Sequence, residues 1–449
     1  MEIYHGYTGF VAFKLKEANA EPGDVIRVEN PNGESFMGVL MPRQLLYSDK
    51  PVIVLKLSNG YNIGVKIDPN TRVLLVSKKK ELPRTIGSQP LPKKPFVSIL
   101  ATGGTIASKV DYVTGAVTPL IDPQELLEWA PELGDVGFLN VREVMKKFSE
   151  DITPSDWEKL SLEVYREITS GAEGVVVAHG TDMMSYSAAA LAFSIIGKPV
   201  PIVFVGSQRS SDRPSSDSFF NLYSAVLTAF KASFAESVIV MHGDSSDSYA
   251  VVLRGVKARK MHTSRRDAFQ PVNDKPIAIV YPYSREIRIV GRVFEKRDPG
   301  REASLRNKFD DKVAIVKAYP GLQEEIINFL VDKKFSGIVI EGSGLGHVPN
   351  SLIDSLKRAV ENEIPVVITS QCLFGRVNLN VYSTGRRLLE AGVIPASDML
   401  PETAYVKLSW ILGSVTKNLS EVREWMLTNI AGEINERHTL ELFPRWSHE

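Results

Sequence analysis

Phe96-Val97-Ser98-Ile99-Leu100-Ala101 runs directly into Thr102-Gly103-Gly104-Thr105-Ile106. An uncharged, mostly apolar run of this length, closed by two glycines and flanked by hydroxyls, reads as a buried strand followed by a loop at its carboxyl end. The same grammar recurs at Gly174–Ala178 before His179-Gly180-Thr181-Asp182, and again at Ile202–Gly206 and Val238–His242. Between these strands, Pro154–Ser170 and Ser185–Ile196 carry helical periodicity. Buried strands alternating with amphipathic helices predict a doubly wound α/β sheet. Further strands at Val313–Ala318, Gly337–Ile340 and Pro365–Thr369 predict a second, smaller α/β domain.

Upstream the pattern changes. Val25–Val28, Ser35–Leu40, Val52–Leu57 and Val73–Val76 are short β-branched runs separated by Glu21-Pro22-Gly23-Asp24, Asn30-Pro31-Asn32-Gly33 and Ser58-Asn59-Gly60. Closely spaced strands between turn signals suggest a small all-β barrel, which leaves no long edge exposed. The expected organisation is a β-barrel over 1–84, a linker over 85–95, a larger α/β domain over 96–295, a linker over 296–311 and a smaller α/β domain over 312–449. Lys78-Lys79-Lys80 reads as a solvated turn.

Composition sets the frame. A chain of 449 residues is long enough for two or three cores. With 53 basic and 53 acidic residues the net charge is zero, which argues against non-specific binding of nucleic acid by this chain alone. A single cysteine, Cys372, excludes an intrachain disulfide and fits a reducing compartment; a buried apolar role is expected for it rather than a catalytic thiol. No signal peptide is expected from Met1–Ala20, and no apolar run approaches the ~18–20 residues needed to cross a bilayer. A cytoplasmic protein without membrane attachment is the expectation.

Three polar clusters fall where ligands of open α/β sheets are held, beyond the carboxyl ends of strands. In the first, Gly103 and Gly104 let the backbone approach a ligand and present the Thr105 hydroxyl, although a plain turn or a phosphate loop would look similar. In the second, Thr181 beside Asp182 forms an acid–base and anchoring pair, or simply a cap for the following helix. In the third, Arg259-Lys260-Met261-His262-Thr263 offers a lysine that, in a cleft, can serve as base for a threonine hydroxyl; in isolation it is a basic loop. Glu341-Gly342-Ser343-Gly344-Leu345-Gly346-His347 lacks the spacing of a dinucleotide loop and the G-x-S-x-G of a serine hydrolase. His242 and His262 make no metal-ligand spacing, and there is no Walker A sequence.

Taken together and in this order, the clusters resemble the bacterial-type L-asparaginase family. ILATGGTIAS, VVVAHGTDMMSYSAAAL and VGSQRSSDRPSSDSFFNLYSAV carry the resemblance, which spans about Phe96 to Ala431. It implies an amidohydrolase with a threonine nucleophile and no metal. Thr105 matches the nucleophile candidate, and Tyr112 the tyrosine of a loop that closes over the substrate. Thr181, Asp182 and Lys260 match a Thr-Asp-Lys set. Gly104 and Thr181 would offer backbone amides to the oxyanion. Ser149 and Glu150 align with the Ser-Gln pair that holds the α-amino acid end of the substrate, glutamate here replacing the usual glutamine. Ser207 and His347 are further substrate-binding candidates, His347 from the smaller domain.

An asparaginase needs only the two α/β domains. The preceding β domain, with ATGGTIASKVDYVTGAVTP at 101–119, resembles the D subunits of archaeal glutamyl-tRNA(Gln) amidotransferases. That resemblance implies a glutaminase that supplies ammonia, while a companion E subunit binds Glu-tRNA(Gln), activates it with ATP and Mg²⁺ and forms Gln-tRNA(Gln). No cofactor is expected in this chain, and tRNA would be gripped mainly by the partner. A homodimer within a heterotetramer is implied, as is a Tyr112 loop that closes fully only with partner and tRNA present. The alternatives are a free-standing asparaginase or glutaminase, and a non-enzymatic binding protein on an asparaginase scaffold.

Overall fold

The computed structural model describes residues 4–41, 50–57, 62–78, 95–103, 108–110, 117–119, 133, 136–209, 216–291 and 294–443. The amino-terminal region begins with helix α1 (Gly9–Glu17), which the sequence alone does not announce. Strands β1 (Val25–Glu29), β2 (Ser35–Leu40), β3 (Val52–Lys56), β4 (Asn62–Lys66) and β5 (Arg72–Ser77) follow. They pair antiparallel in the order β4-β3-β2-β1-β5. Alternation along the strands turns Ile26, Val28, Leu40, Ile53, Leu55 and Val65 inward, where Val11, Ala12 and Leu15 of α1 cover them. The segment 79–94, which contains most of the expected first linker, lies outside the described residues.

The larger α/β domain is built on an eight-stranded sheet. Its strands are β6 (Phe96–Ala101), β7 (Phe138–Glu143), β8 (Val175–Ala178), β9 (Ile202–Val205), β10 (Ser237–His242), β11 (Ala250–Arg254), and two more over Ala278–Tyr281 and Glu286–Ile289. From β7 through β6, β8 and β9 to β10 every neighbour is parallel. Beyond β10 the pairing turns antiparallel. The cause is connection length: the loop between His242 and Ala250 is too short for a crossover helix, so the chain returns as a hairpin.

Both faces of the parallel core are covered, which is why its strands read as unbroken apolar runs. Val97, Ile99, Val176, Val203 and Val240 face helix Ser218–Lys231. Leu100, Val175, Val177, Phe204 and Ile239 face the helices Pro154–Thr169 and Met184–Ser194. Pro154 opens the first of these, and its start is closed by Thr153 N donating to Asp156 Oδ2 at 2.8 Å.

The smaller domain holds a four-stranded parallel sheet: Val313–Lys317, Gly337–Gly342, Val366–Ser370 and the two-residue strand Ile394–Pro395. Its helix Pro401–Ser414 reaches back onto Met184–Ser194, stacking Trp410 on Phe193 at 5.9 Å between ring centroids. The apolar cores of the two domains are therefore continuous along this contact. The stretch between them is bonded along its length; Arg297, for example, donates to the carbonyls of Glu173 and Phe230 at 2.7 and 2.8 Å. Cys372 corrects an expectation. It is exposed, because it sits in the loop after Val366–Ser370 rather than in a strand, with its backbone N–H bonded to Ser370 Oγ at 3.0 Å.

Candidate active site

The carboxyl ends of β6, β7 and β8 are adjacent in the sheet, so the loops that leave them meet. Thr102 donates through both N and Oγ1 to Ala178 O, at 3.0 and 3.1 Å, and Lys147 N donates to Thr102 O at 3.0 Å. Gly103 has φ +103°, and a Cβ there would lie 2.4 Å from Lys147 O. Only glycine fits so close to the neighbouring chain in that conformation. Gly180 is also closely packed: a Cβ would lie 2.9 Å from Ser149 Cβ and 3.0 Å from its Oγ. Ser149, buried after β7, therefore sits directly against the His179–Asp182 turn. Glu150 beside it is exposed.

Thr181 and Asp182 lie at the end of that turn, and Lys260 reaches them from the short hairpin Ala258–Lys260/Phe269–Pro271. Lys260 Nζ donates to Thr181 Oγ1 at 2.9 Å and to Asp182 Oδ1 at 2.6 Å. Thr181 is buried, whereas the Asp182 side chain is 61% exposed and opens the group to solvent. A lysine, a hydroxyl and a carboxylate within one hydrogen-bonded cluster can move a proton from the hydroxyl and hold a positive group of a ligand. Gly104, Thr105 and Tyr112 lie outside the described residues.

Ser207 follows β9. At the preceding Gly206 a Cβ would lie 2.7 Å from both His179 O and Thr181 Cγ2, so this loop also abuts the turn. Ser207 is 1% exposed, and its Oγ has no hydrogen-bond partner among the described residues. The loop is held by Asp217, which accepts from Gln208 N and Arg209 N at 3.0 Å each. Asn221 Nδ2 in turn donates to Asp217 Oδ2 and Gly206 O, both at 3.0 Å. His242, at the end of β10, contacts Asn221 Oδ1 at 2.6 Å and Asp247 Oδ1 at 2.9 Å, and Arg266 donates to that same Asp247 oxygen at 2.9 Å. This chain of contacts joins the loop after Ser207 to the loop after Lys260. Taken singly, Asp217, Asn221 and Asp247 look like ordinary polar residues; the first two fall within the 205–226 stretch that carries the resemblance, and the fold gives them their partners.

His347 is placed differently. Its contacts are to Ser343, to Thr384 Oγ1 at 3.3 Å and to the Tyr382 ring at 5.3 Å, all within the smaller domain. It is not brought against Thr181 or Lys260 by any of them.

His179 underlies the turn. Its Nδ1 lies 2.6 Å from Gly180 O, and burial pushes the imidazole down from 6.5 to about 4. The folded protein thus resists a protonation that the unfolded chain accepts. Stability from this group is full above about pH 6.5 and declines as pH falls toward 4, by at most about 3 kcal/mol. Urea unfolding of the wild type should show that slope between pH 6.5 and 4.5, and His179→Gln should be flatter; equal slopes would contradict the assignment.

Residues 96–292 match the family described as "Asparaginase, N-terminal", and residues 312–426 match "Glutaminase/Asparaginase C-terminal domain". Residues 20–76 match "GatD N-terminal domain". A curated relative from Metallosphaera sedula, the D subunit of a glutamyl-tRNA(Gln) amidotransferase, is 49% identical over 100% of both chains. The chain belongs to the family of glutamyl-tRNA(Gln) amidotransferase D subunits. The Pyrococcus abyssi member is 50% identical over 94% of this chain and 96% of its own. Among solved structures, the thermostable L-asparaginase from Thermococcus kodakarensis is similar with a TM-score of 0.68 and 33% identity, covering 76% of this chain and 100% of its own. The amidotransferase D subunits and the asparaginases thus share the two α/β domains. No helix among the described residues is long and apolar enough to cross a membrane.

Proposed function

We propose that this chain hydrolyses the side-chain amide of glutamine and delivers the ammonia to a companion protein that converts Glu-tRNA(Gln) to Gln-tRNA(Gln). The observation that carries the chemistry is Lys260 Nζ bonded at once to Thr181 Oγ1 and Asp182 Oδ1 at the carboxyl ends of the sheet. Full-length similarity to amidotransferase D subunits supports the assignment to such a complex.

In this reading Thr105, two residues beyond Gly103, attacks the amide carbonyl, with Tyr112 assisting removal of its proton. Lys260, uncharged at this step, takes the proton of Thr181, whose oxygen in turn accepts a proton from the reacting hydroxyl across the cleft. Backbone amides at Gly104 and Thr181 steady the oxyanion, a contribution of roughly 3–4 kcal/mol per donor in other acyl transfers. The proton removed from the attacking hydroxyl is passed to the amide nitrogen, which leaves as ammonia; water then attacks the acyl-threonine, releasing glutamate and restoring the threonine hydroxyl. Asp182 receives the substrate's α-ammonium, and Ser149 and Glu150 hold the same end, so that the reacting carbon is oriented before attack. Ser207, buried and without a partner for its hydroxyl among the described residues, borders the space that the amide would occupy.

The companion is the E subunit of the amidotransferase, which carries the ATP- and Mg²⁺-dependent step and most of the tRNA contact. The working assembly is a homodimer of this chain within a heterotetramer, in the cytoplasm, with each substrate space completed by the smaller domain of the other copy, which contributes His347 of the partner subunit.

The test is ammonia release from glutamine and from asparagine by the chain alone, then with the E subunit, ATP, Mg²⁺ and Glu-tRNA(Gln). Glutamine turnover that rises with the complete mixture is the expected result. Strong asparagine hydrolysis by the lone chain, indifferent to every addition, would instead identify a free-standing asparaginase.

A further inference from the structure

Lys260 sits at the end of a strand of three residues, Ala258–Lys260, whose only ladder among the described residues is to Phe269–Pro271. So short a hairpin cannot by itself hold a long lysine side chain to the tolerance that proton transfer requires. Val256 and Ala258 pack in the core with helix Met184–Ser194, and the polar anchoring of the segment comes from the smaller domain. Thr403 Oγ1 donates to Val256 O at 2.8 Å. Lys257 Nζ donates to Asp398 Oδ2 at 2.7 Å, both side chains being fully buried. Arg259 Nε pairs with Glu402 Oε1 at 3.0 Å. Thus Val256, Lys257 and Arg259 are each fastened to the segment Asp398–Thr403, which leads into helix Pro401–Ser414 of the smaller domain.

Successive side chains of a strand point to opposite faces. Lys260 points forward to Thr181, and Arg259, one residue earlier, points back to Glu402. Glu402 is largely buried, and its second oxygen, Oε2, has no hydrogen-bond partner among the described residues. A carboxylate kept in such a place is costly, and burial raises its pKa. Its described ion pair is the one that fixes Arg259.

We propose that Glu402 is a positioning residue for Lys260, acting through Arg259, so that the proton transfer at Thr181 depends on the smaller domain of the same chain. The proposal rests on Lys260 acting on Thr181 as described above. Asp398 serves the same segment, but its removal strands a buried lysine and threatens the fold, so Glu402 is the informative position.

The experiment compares Glu402→Met, Glu402→Gln, Arg259→Met and Lys260→Ala in the full chain assembled with its partner protein, each checked by thermal unfolding. Glu402→Met should lower kcat for glutamine about tenfold with KM changed less than about twofold, as expected for loss of orientation rather than of binding. Glu402→Gln keeps an acceptor oxygen for Arg259 and should recover most of that kcat. Arg259→Met should resemble Glu402→Met, and the double variant should be no worse than either single one. Wild-type kcat in Glu402→Met would overturn the proposal. So would a loss that Glu402→Gln does not relieve and that follows a fall in thermal stability with KM rising in step. Lys260→Ala separates the two levels: if it stays active, the reading of Lys260 fails; if it is inactive while Glu402→Met is normal, only this inference fails.

Discussion

Lys260→Ala is expected to lower glutamine hydrolysis by about a thousandfold or more while leaving the fold intact, a loss of the size seen when a positioned proton acceptor is removed. The lysine contributes little to the core: its ladder partner is Phe269, its side chain is partly exposed, and its bonds go to Thr181 and Asp182. Alanine preserves the strand and removes only the ammonium group and its stem. Thr181 then keeps its place beside Gly206 but loses the group that draws its proton. Circular dichroism and the unfolding midpoint should be close to wild type, and kcat should fall far more than KM rises. Retained turnover would mean that another group activates the threonine.

Asp398→Ala should show its largest effect on stability, at a cost of about 3–5 kcal/mol, the range for breaking a buried ion pair from one side. Asp398 accepts from Lys257 at 2.7 Å and from Asn435 N and Nδ2 at 2.9 and 2.8 Å, all in the buried seam between the domains. Without it the buried Lys257 ammonium keeps, among the described residues, only the backbone carbonyl of residue 398, at 3.3 Å, and has lost its ion-pair partner. Burial already pushes Lys257 down from its ordinary value, and Asp398 opposes that shift. In the variant the opposing charge is gone, so the unfolded chain binds a proton that the folded chain resists. Stability of Asp398→Ala should therefore climb with pH above neutrality more steeply than that of the wild type. Adding Lys257→Met should restore much of the lost stability, since two apolar side chains in contact remove the stranded charge. No recovery would show that the bonds to Asn435 carry the effect instead.

What is legible in the sequence follows from how each element is stabilised. β6 is expected at Phe96–Ala101 and lies there, because a strand covered on both faces must be apolar throughout. Helix Pro154–Thr169 is legible from its proline start and its periodicity. Strand β4, Asn62–Lys66, is not: Gly64 interrupts its apolar residues, and its place is set by pairing with β3. Helix α1 begins at Gly9 without a capping side chain, so neither end announces it; what holds it is the β sheet it covers. The two-residue strand Ile394–Pro395 exists only through its neighbour.

The site divides in the same way. Thr181, Asp182 and Lys260 are legible as a set, and the structure brings them together through contacts that span 78 and 79 residues of chain. Ser149 is legible as well, and it lies against Gly180. Asp398 and Glu402 are not, because nothing local distinguishes them from surface polar residues; Asp217 and Asn221 fall in the 205–226 motif, but nothing in it assigns their partners. Lys257 and Asp398 are 141 residues apart, and no periodicity predicts that they meet.

The most direct test of ammonia supply uses the complete complex with ATP, Mg²⁺ and Glu-tRNA(Gln), carrying either wild-type chain or Lys260→Ala. Gln-tRNA(Gln) formation is measured with glutamine as the nitrogen donor and again with ammonium chloride. The Lys260→Ala complex should form Gln-tRNA(Gln) from ammonium but not from glutamine, whereas the wild type uses both. Formation from glutamine at the wild-type rate by the Lys260→Ala complex would contradict the account.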